Sequence, residues 1–371
     1  MSNQPMSVLF DIPIVFLVLI ALDIAISLFQ LAPLAFYSFK QNNTSTGVSV
    51  IVCAWNELEN LKRLVPSILA FDYPDFELII VDDRSNDGSY EYLWALRDKI
   101  KHVRIDDTPD HIDNKKYAIT LGIKAAKNDW VLLTDADCYP QKNWISRMAS
   151  MISEGTDFVL GVSQYNKKKS FLSRFIRFET IKTAISYVAM ALLGRPYMGV
   201  GRNLMYRKEV FLKNKAFNHF NELVGGDDDL LVNALAKRKR TKVCLHPEAT
   251  VFSAPKNKLS DYIKQKTRHL SVGVHYHWLD KFILGIITMS PILVWFSFIT
   301  LAFTHTSGTI YFAALLILVK WVLQAITYFI FSKKIGDKFG VGFLPIYDFI
   351  YLVYYVLMGT KALLARNIKW N

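Results

Sequence analysis

The chain has 371 residues, more than one ordinary domain, and 52% of them are apolar. Its mean hydropathy of +0.20 is high for a soluble protein and indicates membrane segments. The net charge of +12 would suit nucleic acid, but the sequence holds no recognisable nucleic-acid-binding module, so we expect the membrane and not nucleic acid as its partner. The three cysteines lack Cys-x-x-Cys spacing, which argues against zinc and a disulfide framework and fits a reducing cytosol.

Four apolar stretches are candidate membrane spans, because a span needs about 20 apolar residues. They are residues 12–39, 282–303, 309–331 and 343–364. A signal peptide is the alternative for the first stretch. Its apolar part is too long, however, no basic segment precedes it and no small-x-small cleavage site follows, so we favour a retained anchor.

The distribution of basic residues predicts the orientation of these spans. Lys40 follows the first span and no basic residue precedes it, so residues 40–278 should face the cytosol. The second span then leads out and the third returns. If the fourth crosses, Arg366 and Lys369 lie outside, against the positive-inside rule. If it lies in the interface or re-enters, they stay inside, which Asp348 near its start favours. We expect an integral protein of a bacterial inner or cell membrane.

Strand and helix patterns alternate after a polar linker at residues 41–47. Strands are predicted at residues 48–54, 76–81, 102–105, 130–134 and 158–162, and helices at residues 57–69, 89–100 and 115–126. This alternation predicts an α/β domain with a mostly parallel sheet and crossover helices. Two helices near the bilayer should follow, at residues 167–193 and 259–271. The first reads as a basic amphipathic helix on the membrane surface, with an ordinary packed helix carrying solvated charges as its alternative.

The chain therefore divides into three expected parts. Residues 1–40 form an N-terminal transmembrane anchor, residues 41–278 an α/β domain with interfacial helices, and residues 279–371 a C-terminal set of transmembrane or interfacial helices.

Four charged motifs occur in order along the α/β domain. They are Val81-Asp82-Asp83, Thr134-Asp135-Ala136-Asp137, Gly226-Asp227-Asp228-Asp229 and Gln265-Lys266-Thr267-Arg268. The second follows a buried strand, and ligands bind at the carboxyl ends of strands in open α/β sheets. Its hard oxygen ligands suit Mg²⁺ or Mn²⁺, which bridge phosphate oxygens. We therefore predict a divalent-metal site at Asp135 and Asp137.

This ordered set resembles the motifs of membrane-bound family 2 glycosyltransferases. Residues 48–270 are similar to that family, whose members include cellulose, chitin and hyaluronan synthases and ceramide glucosyltransferase. The resemblance implies a GT-A fold, which is a Rossmann-like, mostly parallel sheet. It also implies a nucleotide-sugar donor, with a UDP-sugar favoured.

The resemblance assigns the donor-binding residues. Ala54 and Glu57 match positions that line the uracil and ribose. The alternative is that Asn56 and Glu57 cap the next helix. Asp83, ahead of Asp82, accepts from the base or the ribose. The remaining three assignments concern the diphosphate. Lys115 lies near a phosphate, and a solvated lysine is the alternative. Asp137 is the better metal ligand, and Asp135 touches the nucleotide or the water shell of the metal.

The resemblance also assigns the catalytic residues. Asp227 aligns with the general base because Asp229-Leu230 follows it. Asp228 is the second choice, since the family has Glu where Gly226 stands here. The alternative is an Asp-rich helix start that complements the helix dipole. Spacing places Gln265 and Arg268 on one helical face, where Arg268 stabilises the departing diphosphate. His269 replaces a tryptophan that helps form the acceptor site.

The expected function is that of an inverting glycosyltransferase acting at the membrane. It would pass a sugar to a hydroxyl of a lipid or glycan acceptor, because a membrane part of three or four spans is small for a polymer channel. Three alternatives stay open: a processive polysaccharide synthase, a polyprenyl-phosphate sugar synthase, and an inactive scaffold subunit of an envelope glycan assembly.

Overall fold

The computed structural model of the chain describes residues 6–42, 45–218 and 220–364. Within these residues an α/β domain is followed and preceded by long apolar helices. The helices are α1 (Met6–Phe36), α2 (Leu58–Leu69), α3 (Ser89–Ala95), α4 (Asn114–Ala125), α5 (Trp144–Ala149), α6 (Phe171–Leu192), α7 (Lys208–Lys213), α8 (Asp229–Leu235), α9 (Leu259–Val272), α10 (Trp278–Thr304), α11 (Ser307–Lys334) and α12 (Leu344–Leu364). The strands are β1 (Val48–Ala54), β2 (Phe76–Asp83), β3 (Lys101–Ile105), β4 (Trp130–Asp135), β5 (Cys138–Tyr139), β6 (Phe158–Leu160), β7 (Ser163–Tyr165), β8 (Leu204–Arg207), β9 (Thr241–Val243) and β10 (Val251–Ser253).

The main sheet has seven strands in the order β3-β2-β1-β4-β8-β6-β9. All its neighbouring strands are parallel except β8, which runs antiparallel to both β4 and β6. Strands β5, β10 and β7 form a small second sheet. The prediction of an α/β domain with a mostly parallel sheet is confirmed.

The central strands end together at one edge of the sheet. Apolar side chains on both faces bury β1, β2 and β4, as expected for strands covered by helices on both sides. The register pairs Ala54 with Asp82 and Cys53 with Asp135. Acidic groups that are far apart in the sequence therefore meet where the three strands stop.

Two predicted elements are shorter than expected. The helix predicted at residues 89–100 ends at Ala95, because Leu96 and Arg97 donate to carbonyls three residues back and tighten the last turn. The strand predicted at residues 158–162 ends at Leu160, where the Gly161 amide turns to the carbonyl of Asn203. Strands β5, β7, β9 and β10 were not predicted, since two or three residues are too few to show a period.

Four helices are long and apolar enough to cross a membrane. They cover Ile12–Phe36, Trp278–Thr304, Ser307–Lys334 and Val341–Lys361. All four agree with the predicted stretches to within a few residues at most ends. Helices α10 and α11 form a hairpin, and α1 packs against it around Phe16 and Ile20.

Helix α6 is a packed helix, as the alternative for residues 167–193 predicted, but two of its charges are not solvated. Arg177 is buried, and its Nη2 donates to both carboxylate oxygens of Asp337 at 2.5 and 2.7 Å. Glu179 is also buried and lies 2.5 Å from Lys266 of α9. Helix α6 is therefore an interior helix between the α/β domain and the apolar helices. These two charges are paired inside the protein rather than solvated or set against lipid headgroups.

Helix α12 starts beside the middle of the helical hairpin and returns toward the α/β domain. Asp348, one turn into α12, accepts from Lys320 Nζ at 2.9 Å and from Trp295 Nε1 at 3.2 Å. Farther along, Val356 lines the same cavity as Thr288, which is nearer the start of α10. Helix α12 thus runs antiparallel to α10, and this geometry favours the re-entrant alternative. Arg366 and Lys369 lie outside the described residues.

Candidate active site

Two turns at the carboxyl edge of the sheet are joined to each other. Asn56 and Arg84 follow β1 and β2 with φ angles of 54° and 58°, a conformation that non-glycine residues adopt mainly at functional or tightly held sites. The Asn56 side chain accepts from the Asn86 amide at 2.9 Å, and the Asn56 amide donates to Ser85 Oγ at 2.9 Å. These two hydrogen bonds fix the position of each turn relative to the other.

The helix-capping alternative for Asn56 and Glu57 is wrong. Glu57 stands at the start of α2 but makes no capping hydrogen bond. Asp87 from the second turn supplies it instead, accepting from the Leu58 amide at 2.9 Å. Burial and the carboxylates of Asp137 and Asp135 raise the pKa of Glu57, since Glu57 lies close to the metal motif.

Asp82 and Asp83 occupy different environments at the end of β2. Asp82 is fully buried, and its Oδ1 accepts from the Ser85 amide at 3.1 Å, so it holds the turn. Asp83 is also buried, at 8% exposure, and accepts from Arg84 Nε at 2.9 Å. Of the two, Asp83 alone keeps a small accessible surface.

Asp135 and Asp137 have the chemistry of a Mg²⁺ or Mn²⁺ site. Their carboxylate oxygens and Cys138 Sγ all lie within 4.8 Å of one another. Burial raises the pKa of the Cys138 thiol, and the carboxylate oxygens are the ligands that Mg²⁺ and Mn²⁺ prefer. Burial and then the neighbouring Asp135 raise the pKa of Asp137, the sign of a like-charged pair that a cation would relieve. The remaining ligands would come from water and a diphosphate.

Lys115 lies between the metal motif and the acidic turn. Its Nζ is 3.2 Å from Asp135 Oδ1 and 3.1 Å from Asp227 Oδ2. Asp113 positions the lysine by capping α4, accepting from the Lys116 amide at 3.3 Å. The interpretation of Lys115 as a solvated surface lysine is therefore wrong.

The three consecutive aspartates have three separate environments. Burial would raise the pKa of Asp227, but the Lys115 ammonium outweighs it and lowers that pKa below 3.8. Asp228 caps α8, accepting from the amides of Asp229 at 2.7 Å and Gly201 at 2.6 Å, and burial raises its pKa to about 6. Asp229 accepts from the Tyr276 hydroxyl at 2.8 Å, and burial raises its pKa to about 8. Of the three, Asp227 has its pKa lowered and faces Lys115.

Gly226 stands where the similar family has glutamate, and the backbone conformation explains why glycine is present. Gly225 and Gly226 have φ angles of 88° and 79°. A Cβ on Gly226 would lie 2.6 Å from Leu230 Cδ1. This tight turn admits no side chain at residue 226 and aims Asp227 at Lys115.

Helix α9 brings the last motif to the same cavity. Gln265, Arg268 and His269 line it, and Gln265 Nε2 donates to the Tyr165 hydroxyl at 3.3 Å. The His269 ring lines the cavity. Desolvation by the surrounding protein, followed by the charges of Lys266 and Arg268, lowers the pKa of His269 well below 6.5. The His269 ring is therefore neutral at neutral pH.

The cavity has a volume of about 270 Å³ and unites most of the predicted residues. Lys115, Asp135, Asp137, Asp227, Gln265, Arg268 and His269 line it. Ala54, Glu57 and Asp83 lie outside it, on the adjoining edge formed by β1 and β2. The structure thus separates a deep charged cavity from a shallower edge.

Arg202 is a cavity residue that sequence reasoning missed. Its guanidinium lies 4.6 Å from the ring centre of Tyr165, and its charge acts to lower the pKa of Asp137. It follows Gly199-Val200-Gly201, a glycine-rich run just before β8. That run of small residues ending in arginine was the signal that could have revealed it.

Part of the α/β domain is similar to known proteins. Residues 49–214 match the glycosyl transferase family 2 model. Glycosyltransferase AglE from Haloferax volcanii is 30% identical over 117 residues, 31% of this chain and 38% of that protein. Poly-beta-1,6-N-acetyl-D-glucosamine synthase from Staphylococcus aureus is 29% identical over 91 residues, 24% of this chain and 22% of that protein. The chain thus spans well under half the length of these relatives.

A solved structure shows the same fold. The mannosyltransferase PcManGT from Pyrobaculum calidifontis, in complex with GDP-Man and Mn2+, aligns with a TM-score of 0.60 at 15% identity. The alignment covers 96% of this chain and 100% of that one. The expected GT-A fold with apolar helices is confirmed.

Proposed function

Because residues 49–214 form a glycosyl transferase family 2 domain, we propose that this protein is an inverting, membrane-bound glycosyltransferase. It moves a sugar from a nucleotide-sugar donor to a hydroxyl of a membrane-associated lipid or glycan acceptor. The observation that carries the proposal is the Lys115 bridge, which sets the carboxylates of a metal motif and of a general base in one cavity.

The donor lies across the sheet edge. In this proposal Ala54, Glu57 and Asp83 bind the base and ribose, and the resemblance favours uridine there. The diphosphate lies near Asp135 and Asp137, which would hold Mg²⁺ or Mn²⁺, and PcManGT, which has the same fold, is in complex with GDP-Man and Mn2+. A cation held there would neutralise charge on the departing diphosphate.

The transfer is a single displacement. The acceptor oxygen bonds to the anomeric carbon while its proton passes to Asp227, whose carboxylate is ionised beside Lys115. The bond from the anomeric carbon to the diphosphate oxygen breaks on the opposite face. The electron pair stays on the diphosphate, near Arg268 and Arg202, which line the cavity. Configuration inverts, and no protein nucleophile is needed.

The apolar helices support a reaction at a membrane. Four helices are apolar and long enough to span it, and α6 and α9 line the cavity and contact α11 and α12, respectively. With the positive-inside rule, the amino terminus faces outward and the catalytic domain the cytosol. A single transfer fits better than polymer export, because so few helices are available for a channel.

The test uses purified full-length protein and a panel of UDP-Glc, UDP-GlcNAc and GDP-Man. We expect release of nucleoside diphosphate from one donor with Mn²⁺ or Mg²⁺, and its loss with excess EDTA. Asp137→Ala should abolish turnover and weaken donor binding, whereas Asp98→Ala, an exposed control, should not. Full turnover after metal stripping would refute the metal assignment. Absence of turnover with every donor, in protein that still supports envelope assembly, would favour the scaffold.

A further inference from the structure

A second cavity of about 650 Å³ adjoins the catalytic one and lies between α6, α9, α10 and α12. Its volume is in the range of small-molecule sites. The two cavities share wall residues on α6, α9 and the segments beside them. The shared residues are Glu179, Thr183, Met198, His269, Leu270 and Tyr276. The two cavities therefore lie on either side of one shared wall, and the catalytic carboxylates line the first of them.

The second cavity changes in polarity along its length. At the inner end, Thr183, His269 and Tyr276 offer hydroxyl and imidazole groups. At the outer end, α10 and α12 supply apolar walls, and Met289 and Val356 are 42% and 50% exposed. The outer end thus opens sideways between two apolar helices, at the level where a bilayer would surround them.

Two glycines widen the outer end. Gly285 on α10 and Gly359 on α12 both line the cavity, and a Cβ on either meets no atom within 4 Å among the described residues. Glycine within a helix costs roughly 1 kcal/mol relative to alanine. Packing among the described residues does not demand these glycines, so they leave space for something else.

We propose that this cavity binds the acceptor as a membrane lipid, with its hydrocarbon chain between α10 and α12 and its head at His269. This inference rests on the proposed function, because the bound lipid is an acceptor only if the protein transfers a sugar. The lipid enters laterally from the bilayer. Its reactive group then passes His269 to reach Asp227, while its chain never leaves the apolar environment. A hydrophilic glycan acceptor would gain nothing from an apolar, laterally open wall.

The experiment first maps lipid binding without any donor. A sixteen-carbon fatty alcohol with a mid-chain diazirine is photolysed with the full chain in detergent micelles, and labelled peptides are identified by mass spectrometry. We expect labelling on residues 284–289 and 355–360. Gly285→Phe and Gly359→Phe should reduce that labelling at least fivefold. Gly308→Phe is the matched control, since a Cβ there also meets no atom within 4 Å but lies outside the cavity.

A second measurement separates lipid binding from chemistry. In vesicles of total membrane lipid, both cavity variants should lose at least tenfold in transfer of sugar to organic-extractable product, while donor hydrolysis to water stays within twofold. Val356→Trp, at a half-exposed position, repeats the test if a glycine variant unfolds. Labelling spread evenly over the lipid-facing helices, or unchanged in the variants, overturns the lipid site. Groove labelling without turnover of any donor would instead refute the proposed function alone.

Discussion

The ammonium group of Lys115 lies 3.1 Å from Asp227 Oδ2 and joins the start of α4 to the turn before α8. The same group lies 3.2 Å from Asp135, so one side chain balances a carboxylate of the metal motif and the proposed general base. Lys115 thus compensates two carboxylates at once.

Replacing Lys115 should shift the pH dependence of the reaction. The lysine lowers the pKa of Asp227, so Lys115→Met raises that pKa and keeps the base protonated to higher pH. The acid limb of kcat/KM, which reports groups of the free enzyme, should therefore move to higher pH. Lys115→Arg keeps the charge and should keep the limb in place. An acid limb unmoved in the Met variant would show that Asp227 is not the titrating base.

Asp227→Asn should separate donor binding from chemistry. Donor affinity should stay nearly unchanged, while kcat falls by roughly 10² or more, the usual scale of general-base catalysis. Asp228→Asn should affect kcat less but lower the unfolding temperature, because an amide nitrogen cannot accept from the Gly201 amide. Steady-state kinetics and differential scanning fluorimetry give both readouts. An exchange of the two phenotypes would make Asp228 the base.

Asp229 should make the protein less stable as pH rises. Its pKa is raised from 3.8 to about 8, so the folded state keeps a proton that the unfolded state loses across this window. The unfolding temperature of the wild type should therefore fall relative to Asp229→Asn between about pH 5 and pH 8.5. Asparagine still accepts from Tyr276. Asp98→Asn, at an exposed position, should follow the wild type. A constant difference across pH would contradict the raised pKa.

Removing Lys320 should destabilise the apolar helices strongly. Its Nζ lies 3.2 Å from Asp23 Oδ2 and 2.9 Å from Asp348 Oδ2, and all three residues are buried. Lys320→Met leaves two buried carboxylates without a cation, at a cost of about 3–5 kcal/mol. The triple variant Asp23→Asn, Lys320→Met, Asp348→Asn should recover most of it. Lys333→Met, at an exposed position, is the control for thermal unfolding in detergent.

The hairpin between α10 and α11 should face away from the cytosol. A cysteine at Ser307, the first residue of α11, should react with an impermeant maleimide in intact cells. A cysteine at Lys333, at the other end of the helix, should react only after permeabilisation. Cys138 and Cys244 are buried and should contribute little background, whereas Cys53 is partly exposed and is replaced by serine in both variants. The reverse pattern would invert the proposed topology.

Local patterns in the sequence are enough to predict most helices and strands of this protein. Strands β1, β2 and β4 are continuous apolar runs, and the spans are long apolar stretches, so burial alone predicts them. The acidic motifs follow those strands directly. Parallel strands share one carboxyl edge, so order along the chain was enough to predict that the motifs meet.

The pairing of charges and the opening between the apolar helices depend instead on contacts between distant segments. Arg177 meets Asp337 across 160 residues, and Lys116 reaches the carbonyl of Leu223 across 107, so no local pattern contains these contacts. The choice of Asp227 over Asp228 depends on which carboxylate Lys115 faces and which one caps α8. The lateral cavity depends on the return of α12 along α10. Such pairings follow from packing and desolvation between distant segments, and a periodicity of a few residues carries no information about them.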